Sequence, residues 1–152
     1  GITVNTKPEQ LYRALMEATA FGLRWIVQTL REAGVPVRRF VAGGGLPPRN
    51  PALMQVYADV LGEEIRLAES EHAVALGAAI LGCLAAGTES TGHATVSDAI
   101  HAMARQRQDL IYRPRAEAQR QYEKLYIMYR SIGDCDGVVA RTMRQLRELA
   151  PS

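Results

Sequence analysis

The chain has 152 residues, 47% apolar and 22% charged, which suits a folded domain with a buried core and excludes a disordered segment. Lys plus Arg is 18 and Asp plus Glu is 16, and a net charge of +2 is too small a basic excess for a dedicated nucleic-acid binder. Cys83 and Cys135 make neither a disulfide framework nor a zinc site, and they fit a cytoplasmic protein with reduced thiols. The first residues lack the basic-then-apolar layout of a secretory leader. A start at Gly1, without methionine, is read as a sign of a longer parent.

Thr6-Lys7-Pro8-Glu9 reads as a capping box opening the first helix. Leu11, Leu15, Ala18, Gly22, Trp25 or Ile26, and Leu30 then recur at helical spacing. Gly34 and Pro36 end that helix. A short strand is expected over Val37–Ala42, followed by the turn Gly43-Gly44-Gly45-Leu46-Pro47-Pro48-Arg49-Asn50. Asn50 suits an N-cap and Pro51 a first helical position, so a helix runs from Pro51 to Leu61. Ile65–Leu67 is a second short strand. Ser70 opens an Ala/Gly-rich helix ending at Gly87. Its uncharged stretch from Ala73 to Gly87 is too short to span a bilayer, which takes about 20 residues.

Residues 88–96 read as a polar loop, and a short helix follows Ser97 toward Gln106. Tyr112-Arg113-Pro114 is extended. A longer helix from Arg115 to about Ser131 carries Tyr122, Leu125, Tyr126 and Tyr129 on one face, and a last helix follows Gly137. Strands alternating with helices in the first 87 residues indicate α/β architecture with parallel pairing. Two strands are too few to close a sheet, so neighbouring strands must come from elsewhere in a longer chain or from a partner. The charge is uneven: −2 through residue 104 and +4 beyond it. The basic tail is expected to be a solvated helix face.

The glycine turn is the strongest chemical signal. It removes side chains where a ligand could approach the backbone, at the carboxyl end of a strand and ahead of a helix N-terminus. It is neither a Walker A loop nor a GxGxxG motif, and a purely structural tight turn remains open. Asn50 can cap its helix or meet a purine or ribose. His72, His93 and His101 have no metal spacing. Glu17, Asp59, Glu63 and Glu64 read as capping, pairing or surface groups. The tyrosine row reads as a packing seam before a base-stacking surface.

The run Ala14-Leu15-Met16-Glu17-Ala18-Thr19-Ala20-Phe21-Gly22, with Arg24, resembles the helix preceding the adenosine motif of FGGY carbohydrate kinases. Gly44-Gly45-Leu46-Pro47-Pro48-Arg49-Asn50, continuing through Val60, resembles the motif itself. Ala75-Leu76-Gly77-Ala78-Ala79-Ile80 is similar to the helix closing the nucleotide pocket, and Tyr122-Glu123-Lys124-Leu125-Tyr126 to the end of these enzymes. The resemblance implies an α/β fragment of the second ribonuclease-H-like, actin-type ATPase domain, with two short strands, flanking helices and a helical C-terminal segment. Residues 1–132 would be the later part of the nucleotide-binding domain, and 133–152 a helical tail. Gly44 and Gly45 would lie against the adenosine and α-phosphate, Asn50 against adenine or ribose, and Gly77 near the nucleotide. Leu46, Pro47 and Gln55 would be neighbours.

The resemblance further implies ATP with Mg²⁺ and a sugar substrate, a ketopentose before another sugar or polyol, for a full-length parent. The family's catalytic aspartate, sugar site and phosphate loops precede the matched region, so no catalytic and no metal residue is expected here. The chain alone is expected to be inert, with a nucleotide but no nucleic acid or membrane as partner. A different reading stays open: a non-catalytic module that docks a partner or forms a homodimer through the Tyr122–Tyr129 face and Arg141, Arg144 and Arg147.

Overall fold

A computed structural model describes residues 2–149. The chain forms two compact units. One is helical and holds the residues up to Val37, Asp59–Gly62, and those from Pro114 onward. The other is α/β and holds Arg38–Ala58 and Glu63–Arg113.

The α/β unit is built on a three-stranded sheet in the order β1-β2-β3, from β1 (Phe40–Ala42), β2 (Ile65–Ala68) and β3 (Gln106–Tyr112). The first two strands pair in parallel, with Phe40 opposite Ile65 and Ala42 opposite Leu67. Between them lie a one-turn helix, α2 (Leu46–Arg49), and α3 (Pro51–Leu61), which supply the crossover that parallel strands require. Alternation along β2 buries Ile65 and Leu67 on one face. Leu53, Met54 and Val56 of α3 are buried in the same unit. After β2 come α4 (Ala73–Ala86), α5 (Thr88–Thr91) and α6 (Val96–Met103), and α4 packs on α6 with Cys83 Sγ 3.9 Å from Met103 Sδ.

The third strand corrects the expectation of two. β3 runs antiparallel to β2, with Tyr112 opposite Ile65 and a bulge between Arg66 and Ala68. Its sequence, Gln-Arg-Gln-Asp-Leu-Ile-Tyr, has polar residues on both faces in its first half, so alternation does not announce it. The expected strand over Val37–Ala42 shortens to Phe40–Ala42. The loop readings missed α2 and α5. The Ala/Gly-rich helix begins at Ala73 rather than Ser70.

The helical unit contains α1 (Pro8–Glu32), α7 (Ala116–Gly133) and α8 (Val138–Leu149), the last packed on α7. The capping box of α1 is shifted by one residue from the expected site. Lys7 is the N-cap, and its N–H donates to Gln10 Oε1 at 2.9 Å. Thr6 Oγ1 instead accepts from the Thr3 amide at 2.8 Å. Pro8 dictates this, since it holds the residue before it extended, and Lys7 has φ −88° and ψ 152°. The tyrosine row is a packing seam. Phe21 of α1 lies 6.0, 5.9 and 5.4 Å, centroid to centroid, from Tyr122, Tyr126 and Tyr129 of α7. Two reciprocal cation–π contacts flank it, Arg24 over Tyr126 at 4.1 Å and Arg130 over Trp25 at 4.3 Å.

No helix among the described residues is long and apolar enough to cross a membrane.

Candidate nucleotide site

β1 delivers its chain at its carboxyl end into the glycine turn. A Cβ on Gly43 would sit 3.3 Å from the Ala73 Cβ, so this residue is small because the first residue of α4 packs on it. Gly44 has φ +92°, a conformation that a side chain would strain. Gly45 differs. Its φ of −78° suits any residue, and a Cβ there would meet nothing within 4 Å. Gly77 sits one turn beyond Ala73 on α4 and is equally open, with nothing within 4 Å of a Cβ. Glycine inside a helix costs about 1 kcal/mol against alanine, and no described neighbour of Gly77 requires it.

Asn50 links α2 and α3. Its Oδ1 accepts the Leu53 amide at 3.0 Å, so the expected cap is formed. Leu46 is exposed at the start of α2, and Pro47 behind it is buried. Arg49 approaches Glu71 at 4.0 Å, joining the turn after β1 to the segment after β2. The loops leaving both parallel strands therefore meet at one end of the sheet, where open α/β sheets hold ligands. The sequence reading did not anticipate the helical turn at Leu46–Arg49 or the Gly43–Ala73 contact. The apolar composition of Ala73-Val74-Ala75 was the available signal for the second. Gln55 is turned elsewhere: its Nε2 donates to the Arg113 carbonyl at 2.8 Å.

The acidic candidates are paired. Glu17 accepts from Arg13 Nε at 2.8 Å and from the Tyr122 hydroxyl at 2.9 Å. Burial comes first, with the Glu17 carboxylate second, in pushing the Tyr122 phenol above its ordinary range. Asp59 is fully buried and binds Arg115. Glu64 joins Arg66 at 2.9 Å and Arg113 at 3.3 Å. His72 and His101 are exposed, and His101 Nδ1 lies 2.6 Å from the Ser97 carbonyl. Asp134, Cys135 and Asp136 cluster on an exposed loop, where Asp134 Oδ1 accepts the Asp136 amide at 3.2 Å. That amide holds the Asp134 carboxyl below its usual range.

The turn, the capped α3 and the open face of α4 offer shape and backbone polarity to a ligand. The chain belongs to the FGGY family of carbohydrate kinases, whose C-terminal domain matches residues 1–86. A ribulokinase from Bacillus licheniformis is 42% identical over 149 residues, covering 98% of this chain and 27% of the relative. A ribulokinase from Halalkalibacterium halodurans is 44% identical over 150 residues, with 98% and 26% covered. The chain thus spans about a quarter of the length of these relatives, and it aligns with their C-terminal part. The crystal structure of a xylulose kinase from Rhodospirillum rubrum superposes with a TM-score of 0.70 at 26% identity, over 87% of this chain and 25% of that one. A Plasmodium falciparum glycerol kinase, solved with ADP, shares the fold at a TM-score of 0.62 and 24% identity, over 85% of this chain and 25% of that one. The α/β unit is accordingly a piece of the actin-type ATPase fold of these kinases, with three strands instead of the expected two.

Proposed function

We propose that this chain supplies the adenosine side of the ATP cleft in an L-ribulokinase, which moves the γ-phosphate of ATP to the 5-hydroxyl of L-ribulose in the cytoplasm. Residues 1–132 serve the nucleotide-binding domain and 133–152 form its tail. The reading is carried by Gly45 and Gly77, two glycines that no described neighbour demands. A nucleotide lying against both accounts for their lack of side chains. In this arrangement Gly44 and Gly45 present backbone to the adenosine and α-phosphate, and Leu46 covers an apolar edge. Asn50 uses its carboxamide toward adenine or ribose, and Gly77 leaves room on α4. Bound ATP supplies the phosphoryl group, with Mg²⁺ accompanying it. No residue here is assigned to the metal, to the sugar or to a base for the hydroxyl proton. Those functions fall to the rest of the parent, and the chain alone is inert.

The test is an amide-resolved NMR titration of the chain with Mg-ADP. Shifts should concentrate at Gly43–Asn50 and around Gly77. Gly45→Ala and Gly77→Ala should fold as the wild type does, and Gly77→Ala should be slightly more stable, yet both should weaken ADP at least tenfold. Asn50→Ser keeps a cap while removing the carboxamide, so it separates the two roles of Asn50. Unchanged ADP affinity in Gly45→Ala and Gly77→Ala would sink the assignment.

A further inference from the structure

The strand-to-helix junction after β3 bears on the glycine turn through Gln55. Gln55 lies on α3 five residues past Asn50, about 7.5 Å along the axis. Its carboxamide nitrogen donates to the main-chain carbonyl of Arg113, the residue that follows β3, at 2.8 Å. Arg113 is itself held. Its Nε reaches Glu64 Oε2 at 3.3 Å, and Glu64 Oε1 accepts from Arg66 Nε at 2.9 Å. Arg66 lies in β2, opposite Ile111 of β3. A continuous polar chain, Gln55–Arg113–Glu64–Arg66, therefore fastens the first half of α3 to the two-strand ladder. A helix held only by apolar packing can rotate or slide by small amounts. A directional hydrogen bond near its N-terminal end opposes both motions.

We infer that Gln55 is a positioning residue for the nucleotide site: it sets the pitch of α3, and with it the direction of the Asn50 cap and the α3 N-terminus, without touching the ligand. The inference rests on the nucleotide reading above and reassigns Gln55 within it.

The experiment compares Gln55→Ala, Gln55→Glu and Gln55→Lys in this chain. Glu places an acceptor against the Arg113 carbonyl and Lys restores a donor. The first readout needs no nucleotide: the ¹³C′ shift of Arg113 and the amide shifts of the non-proline residues of Gly44–Leu53. Loss of the hydrogen bond should move Arg113 and, beyond it, Gly45 and the amides of Asn50, Ala52 and Leu53 in Ala and Glu, with return toward wild type in Lys. The second readout is Mg-ADP titration, in which Ala and Glu should bind about fivefold more weakly and Lys should recover. Changes confined to residues adjacent to position 55 in the ligand-free spectra would overturn the inference. So would weaker ADP binding in Lys equal to that in Ala, since that outcome marks a direct ligand contact. If the wild-type chain shows no ADP shifts, the nucleotide reading of the isolated chain fails, and the ligand-free arm still decides whether Gln55 positions α3.

Discussion

Asp59 offers the sharpest energetic test. It is the only fully buried charged side chain among the described residues. Its Oδ1 accepts the Arg115 amide at 2.8 Å, and its Oδ2 accepts Arg115 Nη2 at 2.6 Å and Nε at 3.1 Å. Arg115 is the N-cap of α7, so the carboxylate of Asp59, from the last turn of α3, takes the N-cap amide as the N3 side chain of a capping box would. This position also suits the helix dipole. The Asp59 bond is the largest influence raising the Arg115 pKa. Breaking a buried pair costs about 3–5 kcal/mol. Here the Arg115 side chain is 63% exposed, so water can take over part of its role and the lower end applies. Asp59→Ala strands a backbone donor and removes a charge-assisted pair, so about 3 kcal/mol is expected. Asp59→Asn keeps an acceptor for the amide and should lose about half of that. Arg115→Ala takes the guanidinium away from a buried carboxylate and should cost about 2 kcal/mol. The double variant Asp59→Asn/Arg115→Ala should fall short of the sum by more than about 1 kcal/mol, because the two act on one bond. Trp25 is the only tryptophan and stacks under Arg130 in the same helical unit, so its fluorescence during urea unfolding reports on this unit. Additivity of the two single changes within about 0.5 kcal/mol would refute the reasoning, as would a neutral Asp59→Ala.

Three further outcomes follow from single residues. Tyr112 is buried at the end of β3, and its hydroxyl has no hydrogen-bond partner among the described residues, so Tyr112→Phe should raise stability by about 1 kcal/mol in this chain. A drop of similar size in urea midpoint analysis would show that the hydroxyl is satisfied. The raised phenol of Tyr122 ionises more readily unfolded, near the ordinary value of 10.0, than folded. Its contribution is therefore complete below pH 10 and is lost as the pH rises through the higher folded value. Tyr122→Phe should flatten stability against pH above 10, and an unchanged alkaline slope would contradict this. Gly44→Ala forces a side chain at φ +92° and should cost about 1–2 kcal/mol, whereas Gly45→Ala at φ −78° should cost almost nothing. Equal costs, measured by thermal unfolding, would mean that the turn relaxes.

What local sequence determined is what depends on neighbours a few residues away. The long α1, the parallel pair with its crossover, the Asn50 cap and the helix ends at Gly34 and Gly87 all follow from spacing, caps and breakers. That Tyr122, Tyr126 and Tyr129 form a packing seam was also legible, because helical spacing puts them on one face, but Phe21 as their partner was not. The motif words pointed to the family, which the match over residues 1–86 bears out, where periodicity pointed only to elements.

Tertiary structure decided the rest. β3 exists because β2 offers it a ladder; its own mixed polar pattern does not specify a strand. Asp59 looked like one acid among several, and its burial appears only when Arg115, 56 positions away, closes over it. Gln55 carried a motif position in the sequence, and folding directed its carboxamide to a carbonyl 58 residues on. Gly43 and Gly45 are identical in sequence, yet one is small for the sake of Ala73 and the other for no residue described. Sequence-local forces choose helices, turns and caps, because those satisfy their backbone bonds internally. Strand partners, buried charges and the emptiness beside a glycine depend on atoms that only the folded chain brings near.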